Sequence, residues 1–154
     1  MKPGLWAIPV HIADQEVAEV ASRAADWLRQ AQRDLEHARH DLESDYLEWA
    51  CFSAHQAAEK AVKALYQHLH GEARGHSITG LLRALTGRVE IPEALQEASM
   101  RLDRLYIPTR YANSFASGVP ADYFGEKDAK EAIDDGAAIV DFCEGRISRQ
   151  GQGG

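Results

Sequence analysis

The sequence predicts an all-α fold, an up-and-down bundle of four to five helices. Three observations carry this. Apolar residues recur at spacings of three and four in each long segment, no stretch alternates at period two over a useful length, and glycine or proline falls between the periodic segments.

Residues 1–13, "MKPGLWAIPVHIA", place two prolines and a glycine among apolar residues and are expected to form an extended arm that packs on the body. Asp14 is placed to cap the first helix. Trp27, Leu28, Ala31, Leu35, Ala38 and Leu42 then form one face of an amphipathic helix that ends near Ser44. After a break at "ESD", a second helix is expected over 46–70, with a stripe of Trp49, Ala50, Phe52, Ala57, Ala61, Ala64, Leu65 and Leu69. So much alanine lets helix axes approach closely, as in a central helix or a dimer seam. Gly71 is the expected stop.

Ser77 reads as an N-cap for a short third helix carrying Ile78, Leu81, Leu82 and Leu85 and closed by Gly87. Pro92 suits the first turn of a fourth helix with Leu95, Ala98, Leu102 and Leu105. That helix must end before Pro108, because a residue preceding proline is pushed out of helical geometry. Residues 108–125 hold two prolines, two glycines and four aromatics, and are expected as a loop. A fifth helix follows from about Glu126 to Arg146, using Ala129, Ile133, Ala137, Val140 and Cys143. The domain is therefore drawn over 14–148, with 149–154 expected as a disordered tail.

At 154 residues the chain can bury one core. Its longest apolar runs, such as "AAIV" at 137–140, are far too short to span a membrane. The first residues lack the basic start and apolar stretch of a signal peptide. Two cysteines, Cys51 and Cys143, both in helical pattern, fit buried thiols in a reducing cytoplasm, and are too few for a zinc cluster. The net charge of −7 argues against a general nucleic-acid coat. Residues 60–111 are the one stretch where basic side chains outnumber acidic ones, so a phosphate could be drawn there.

Two groups of residues could carry chemistry. On the second helix His55, Glu59 and Lys63 fall at i, i+4 and i+8 and line one stripe, either as a polar rail facing a ligand or as an exposed face held by a Glu59–Lys63 pair. In "YIPTRYANSF", Arg110 beside Tyr106 and Tyr111 combines a fork for phosphate with rings for a base, and Thr109 adds a hydroxyl. The competing reading has the tyrosines sealing the bundle's end while Arg110 pairs with an acid of the fifth helix. His76 stands beside the Ser77 cap, where it could orient that loop. "HARHD" at 37–41 brings two histidines together without further ligands, and no metal site or cofactor is expected. Phosphate-gripping glycine loops and nucleophile elbows are absent from the sequence.

Four stretches together resemble the HEPN family (higher eukaryotes and prokaryotes nucleotide-binding) in its stand-alone bacterial form. They are the "A-x-x-D-L-x-x-A" of 31–38, "YLEWACFSAHQAAEKAVKALYQHLHG" at 46–71, "HSITGLLRAL" at 76–85 and "LDRLYIPTRYANSF…VPADYF" at 102–124. The resemblance implies a helical bundle that dimerises and works beside a minimal nucleotidyltransferase in toxin–antitoxin-like pairs. In other relatives it implies a ribonuclease whose motif is an arginine followed four to six residues later by a histidine. Arg110 sits where that arginine is expected, but Phe115, Ala116 and Ser117 follow and no histidine lies beyond it. The spaced pair Arg33 and His40 lies in the first helix, outside the motif's region.

The expectation is a non-catalytic or weakly catalytic module that binds a nucleotide or RNA, acting as a homodimer or with a nucleotidyltransferase. Arg110, Tyr106, Tyr111 and Thr109 are its expected contacts, joined by His76, Glu59 and Lys63. The rivals are a metal-independent endoribonuclease with His76 or His55 as substitute base, and a purely structural interaction module.

Overall fold

The computed structural model describes the backbone of residues 10–152 and the side chains of residues 23–149. Among the described residues the chain is helical without strands: α1 (Val10–Glu43), α2 (Leu47–His68), α3 (Ile78–Ala84), α4 (Glu93–Asp103) and α5 (Glu126–Gln152). Two single-turn 3-10 helices, Ala112–Ser114 and Pro120–Asp122, shape the loop between α4 and α5. The first part of the expected N-terminal arm, 1–9, lies outside the described residues. Asp14 is not a cap, because α1 has already begun at Val10.

α2 is the central helix. Its Ala50, Ala54, Ala57, Ala58, Ala61 and Ala64 are buried, and it packs on both α1 and α5. A side chain at Gly136 of α5 would bring a Cβ to 2.9 Å from the Ala54 carbonyl oxygen, so a glycine is what allows the two axes to approach. Leu65, Ile78, Leu82, Leu102, Ile139 and Val140 complete the core. Cys51 and Cys143 are buried free thiols. Burial, aided by Asp128 and Glu48, pushes the Cys51 thiol up to about 12, and burial alone does the same for Cys143, so neither offers a thiolate near neutrality.

The turn after α1 places Asp45 in the left-handed region, at φ 66°. The stop of α2 differs from expectation: His70, at φ 58°, takes the left-handed conformation, while the Gly71 N–H donates to the Tyr66 carbonyl at 2.8 Å. Ser77 is the N-cap of α3, its hydroxyl accepting from the Gly80 N–H at 3.0 Å. α4 stops at Asp103, a full turn sooner than Pro108 requires. Beyond it the backbone tightens into i→i−3 bonds, Leu105 to Leu102, Tyr106 to Asp103 and Arg110 to Ile107. α5 continues past Arg146 into the expected tail, with Arg149 in its last turn facing the negative end of the helix dipole. Residues 153–154 lie outside the described residues.

Candidate functional site

The tight turn that follows α4 separates two neighbours. Thr109 points inward, 1% exposed, and its hydroxyl donates to the Leu105 carbonyl at 2.6 Å. This departs from its expected role: the hydroxyl is spent inside the turn beyond α4 and is not open to a ligand. Arg110 turns the other way. Its Nε donates to the Tyr106 carbonyl at 2.9 Å, and its Cζ lies 4.3 Å from the Tyr106 ring centre, 4.6 Å from Phe52 and 5.0 Å from Tyr111. Rings over the guanidinium plane hold it by cation–π attraction and leave its edge N–H groups for a planar anion. Among the described residues Arg110 makes no ion pair, so the expected alternative, a salt bridge to an α5 acid, is not realised by this arginine.

Tyr106 is the hub of the cluster. His76 stacks on it at 5.2 Å and 18°, His55 approaches at 5.0 Å, and Phe52 lies at 6.2 Å. With the guanidinium also on the ring, Tyr106 is better suited to hold Arg110 than to receive a base. Tyr111, 48% exposed, is the ring open to stacking. Phe52 also meets Trp49 edge-on at 6.2 Å. The sequence stripe puts Trp49 with the core-facing residues, whereas it is 46% exposed, and the N-cap residue Tyr46 is exposed as well.

Two histidine–carboxylate pairs flank this hub. Glu59, 3% exposed, receives His76 Nδ1 at 3.2 Å on one oxygen and Lys63 Nζ at 3.1 Å on the other. Glu59 and Lys63 thus neutralise each other and reach the cluster through His76, rather than facing a ligand as the rail of the sequence reading. The His76 side chain is 59% exposed, and its Nε2 makes no hydrogen bond among the described residues. In the second pair His55 is fully buried and Asp103 partly so: His55 Nδ1 lies 3.2 Å from the Gln56 amide nitrogen and its Nε2 3.2 Å from Asp103, and the tautomer with the hydrogen on Nε2 satisfies both contacts.

Asp103 also accepts from the Ile78 and Thr79 N–H groups, each at 2.9 Å, and from the Ser77 hydroxyl at 3.2 Å. Burial alone would raise its pKa, but the hydrogen bonds from His55, Thr79 and Ile78 win and hold it at about 2. Sequence reasoning missed Asp103 altogether. The signal it left was register, since Asp103, Tyr106 and Arg110 succeed one another at helical spacing. Phe52 was read as core, and His55 only as part of the rail or a substitute base.

A separate chain of contacts runs from Ser53 Oγ to His37 Nδ1 at 3.1 Å and from His37 Nε2 to Asp41 at 3.3 Å. Ser53 is buried in the middle of α2, where the backbone N–H groups are spent on the helix. Nucleophilic catalysis there would lack both access and an oxyanion hole.

The model of the HEPN domain family matches residues 24–146. Among solved structures, a protein of Thermus thermophilus is 44% identical with a TM-score of 0.78, over 79% of this chain and 96% of that one. An archaeal HEPN homologue is 40% identical with a TM-score of 0.70, over 80% and 97%. A HEPN domain protein of Thermotoga maritima is 39% identical with a TM-score of 0.66, over 80% and 98%. No curated protein matches. With the family model spanning residues 24–146 and these structures matched over nearly their whole length, the chain belongs to the HEPN domain family.

Proposed function

We propose that this HEPN protein binds a nucleotide or a short RNA through Arg110, with Tyr111 as the stacking surface and His76 at the edge of the site. The single observation behind the reading is the state of Arg110. In a chain of net charge −7, this guanidinium is clasped by three rings and pairs with no carboxylate among the described residues. A cation so held is preorganised for an anion, and phosphate matches its fork. The exposed rings of Tyr46 and Trp49 at the start of α2, the latter touching Phe52, suit a second protein surface, a copy of this chain or a nucleotidyltransferase, of the kind the family resemblance suggested.

The test is thermal denaturation with AMP, ATP, GTP, UTP and short RNA, on wild type and Arg110→Ala. A ligand at a hundred times its dissociation constant adds about 2.7 kcal/mol, and Arg110→Ala is expected to remove that gain. No gain with any of these ligands would overturn nucleotide binding and leave a structural module.

A second reading is favoured by the His76–Glu59 pair. A histidine whose Nδ1 is fixed by a buried carboxylate can handle protons at Nε2, and here it lies against the same tyrosine as Arg110. In metal-independent RNA cleavage, His76 would take the 2′-hydroxyl proton as that oxygen attacks phosphorus. The 5′-oxygen leaves with a proton from water, and Arg110 holds the phosphate charge. Cleavage in the presence of a chelator, lost in both His76→Ala and Arg110→Ala, is the expected result; intact RNA at high protein concentration rules this activity out.

A further inference from the structure

We infer that Asp103 is the positioning residue of the Arg110 site, the carboxylate that fixes where the chain leaving α4 presents Tyr106 and Arg110. This rests on the reading of Arg110 as the anion anchor. Asp103 is the last residue of α4, so every residue from there to Arg110 hangs from it. Its two oxygens take four donors from two other helices: His55 of α2, and Ser77 with the Ile78 and Thr79 N–H groups at the start of α3. The groups it gathers are those that grip Tyr106. His55 itself lies 5.0 Å from that ring, and His76, which precedes the Ser77 it binds, stacks on it at 5.2 Å. Tyr106 in turn hands its carbonyl to Arg110 Nε. One carboxylate thereby stands at the head of a series of contacts, from Asp103 to His55 and to the Ser77 turn that follows His76, from the two histidines to Tyr106, and from Tyr106 to Arg110.

A carboxylate can do this and an amide cannot. All four partners of Asp103 donate, and only an acceptor with two oxygens and no hydrogen satisfies them together. Asparagine would aim an NH2 group either at His55 Nε2–H and the Ile78 N–H, which share one oxygen, or at the Thr79 N–H and the Ser77 hydroxyl, which share the other, pushing apart one side of the clamp while keeping the size of the side chain. The carboxylate remains charged well below neutral pH, so the clamp is constant through the range in which ligands are bound.

The experiment is NMR of the arginine Nε–H groups on wild type, Asp103→Asn and His55→Leu, with titration of AMP. The Arg110 signal is identified by its loss in Arg110→Lys. In Asp103→Asn that signal should move toward the position of free arginines and exchange with water at least tenfold faster, and AMP affinity should fall at least fivefold. In the Arg110→Ala background Asp103→Asn should cause no further loss of affinity, although a purely structural change would still lower the melting temperature. His55→Leu removes one donor of four and should give a smaller change in the same direction; it also decides the matter if Asp103→Asn does not fold. A folded Asp103→Asn or His55→Leu with the Arg110 signal and the affinity both unchanged would overturn the role of Asp103. If wild type does not bind AMP, the anchor reading fails, while the Arg110 signal still reports whether Asp103 sets its position.

Discussion

Arg101 and Arg110 lie either side of the end of α4 and meet opposite fates. Arg101 forms a fork with Asp135 of α5, Nε to one oxygen and Nη2 to the other, both at 2.9 Å. Arg110 meets aromatic rings and one backbone carbonyl instead. The salt bridge to α5 that sequence reasoning offered as the alternative for Arg110 does exist, but Arg101 makes it. An arginine matched to a carboxylate spends its fork inside the fold and ties two helices. One matched to ring faces keeps its fork and can spend it on a ligand. The pairing partner, not the residue type, separates structure from site.

The comparison breaks most sharply by cutting the structural arginine. Arg101→Ala leaves Asp135, which is buried, without its charged partner, and should cost about 1–3 kcal/mol of unfolding free energy with nucleotide affinity unchanged. Chemical denaturation and AMP titration on the same sample check both halves. Acid supplies the next effect. The Asp103 carboxyl is held at about 2 in the folded protein against an ordinary 3.8, so the unfolded chain takes up its proton first. Its stabilisation is therefore complete above about pH 4 and is lost as pH falls toward 2. Between wild type and Asp103→Asn, the difference in stability should shrink over that window by on the order of 1–2 kcal/mol. Thr109→Val removes a buried hydroxyl whose partner carbonyl stays behind, and should cost about 1 kcal/mol in a melting experiment without altering binding.

How far these roles could be read in the chain follows from the range of the forces involved. The helices and the Ser77 cap are local, and periodicity and capping chemistry placed them closely. Trp49 was assigned to the core-facing stripe because α2 is wrapped by α1 and α5, and a helix buried on two sides leaves no clear polar face to mark the open one. Thr109 and Arg110 were read together, yet they point opposite ways. Their orientation depends on i→i−3 bonds past α4 that no repeat in the sequence encodes. Asp103 escaped because its donors lie 24 to 48 positions away, and a contact of that range appears only once α2, α3 and α4 are packed. Arg101 and Arg110 look alike in the sequence for the same reason: Asp135 is 34 positions from Arg101.

The smallest change in stability should come from Arg110→Ala, and it is the most informative. Each cation–π contact at a partly exposed site contributes about 0.5–1 kcal/mol, and this is offset in the wild type by the water that the guanidinium gives up on folding. The net loss in stability should then be near 0.5 kcal/mol, well below that of Arg101→Ala. Binding should fall much further: losing a charged fork from a phosphate costs about 1.5–3 kcal/mol, or roughly tenfold to a hundredfold in affinity. Arg110→Lys separates charge from shape. Lysine keeps the positive charge but not the planar fork or its stacking on Phe52, Tyr106 and Tyr111. If Arg110→Lys binds AMP as poorly as Arg110→Ala, the rings preorganise the fork and geometry governs the site. If lysine restores most of the affinity, charge alone suffices, and the aromatic clasp belongs with Arg101 on the side of the fold.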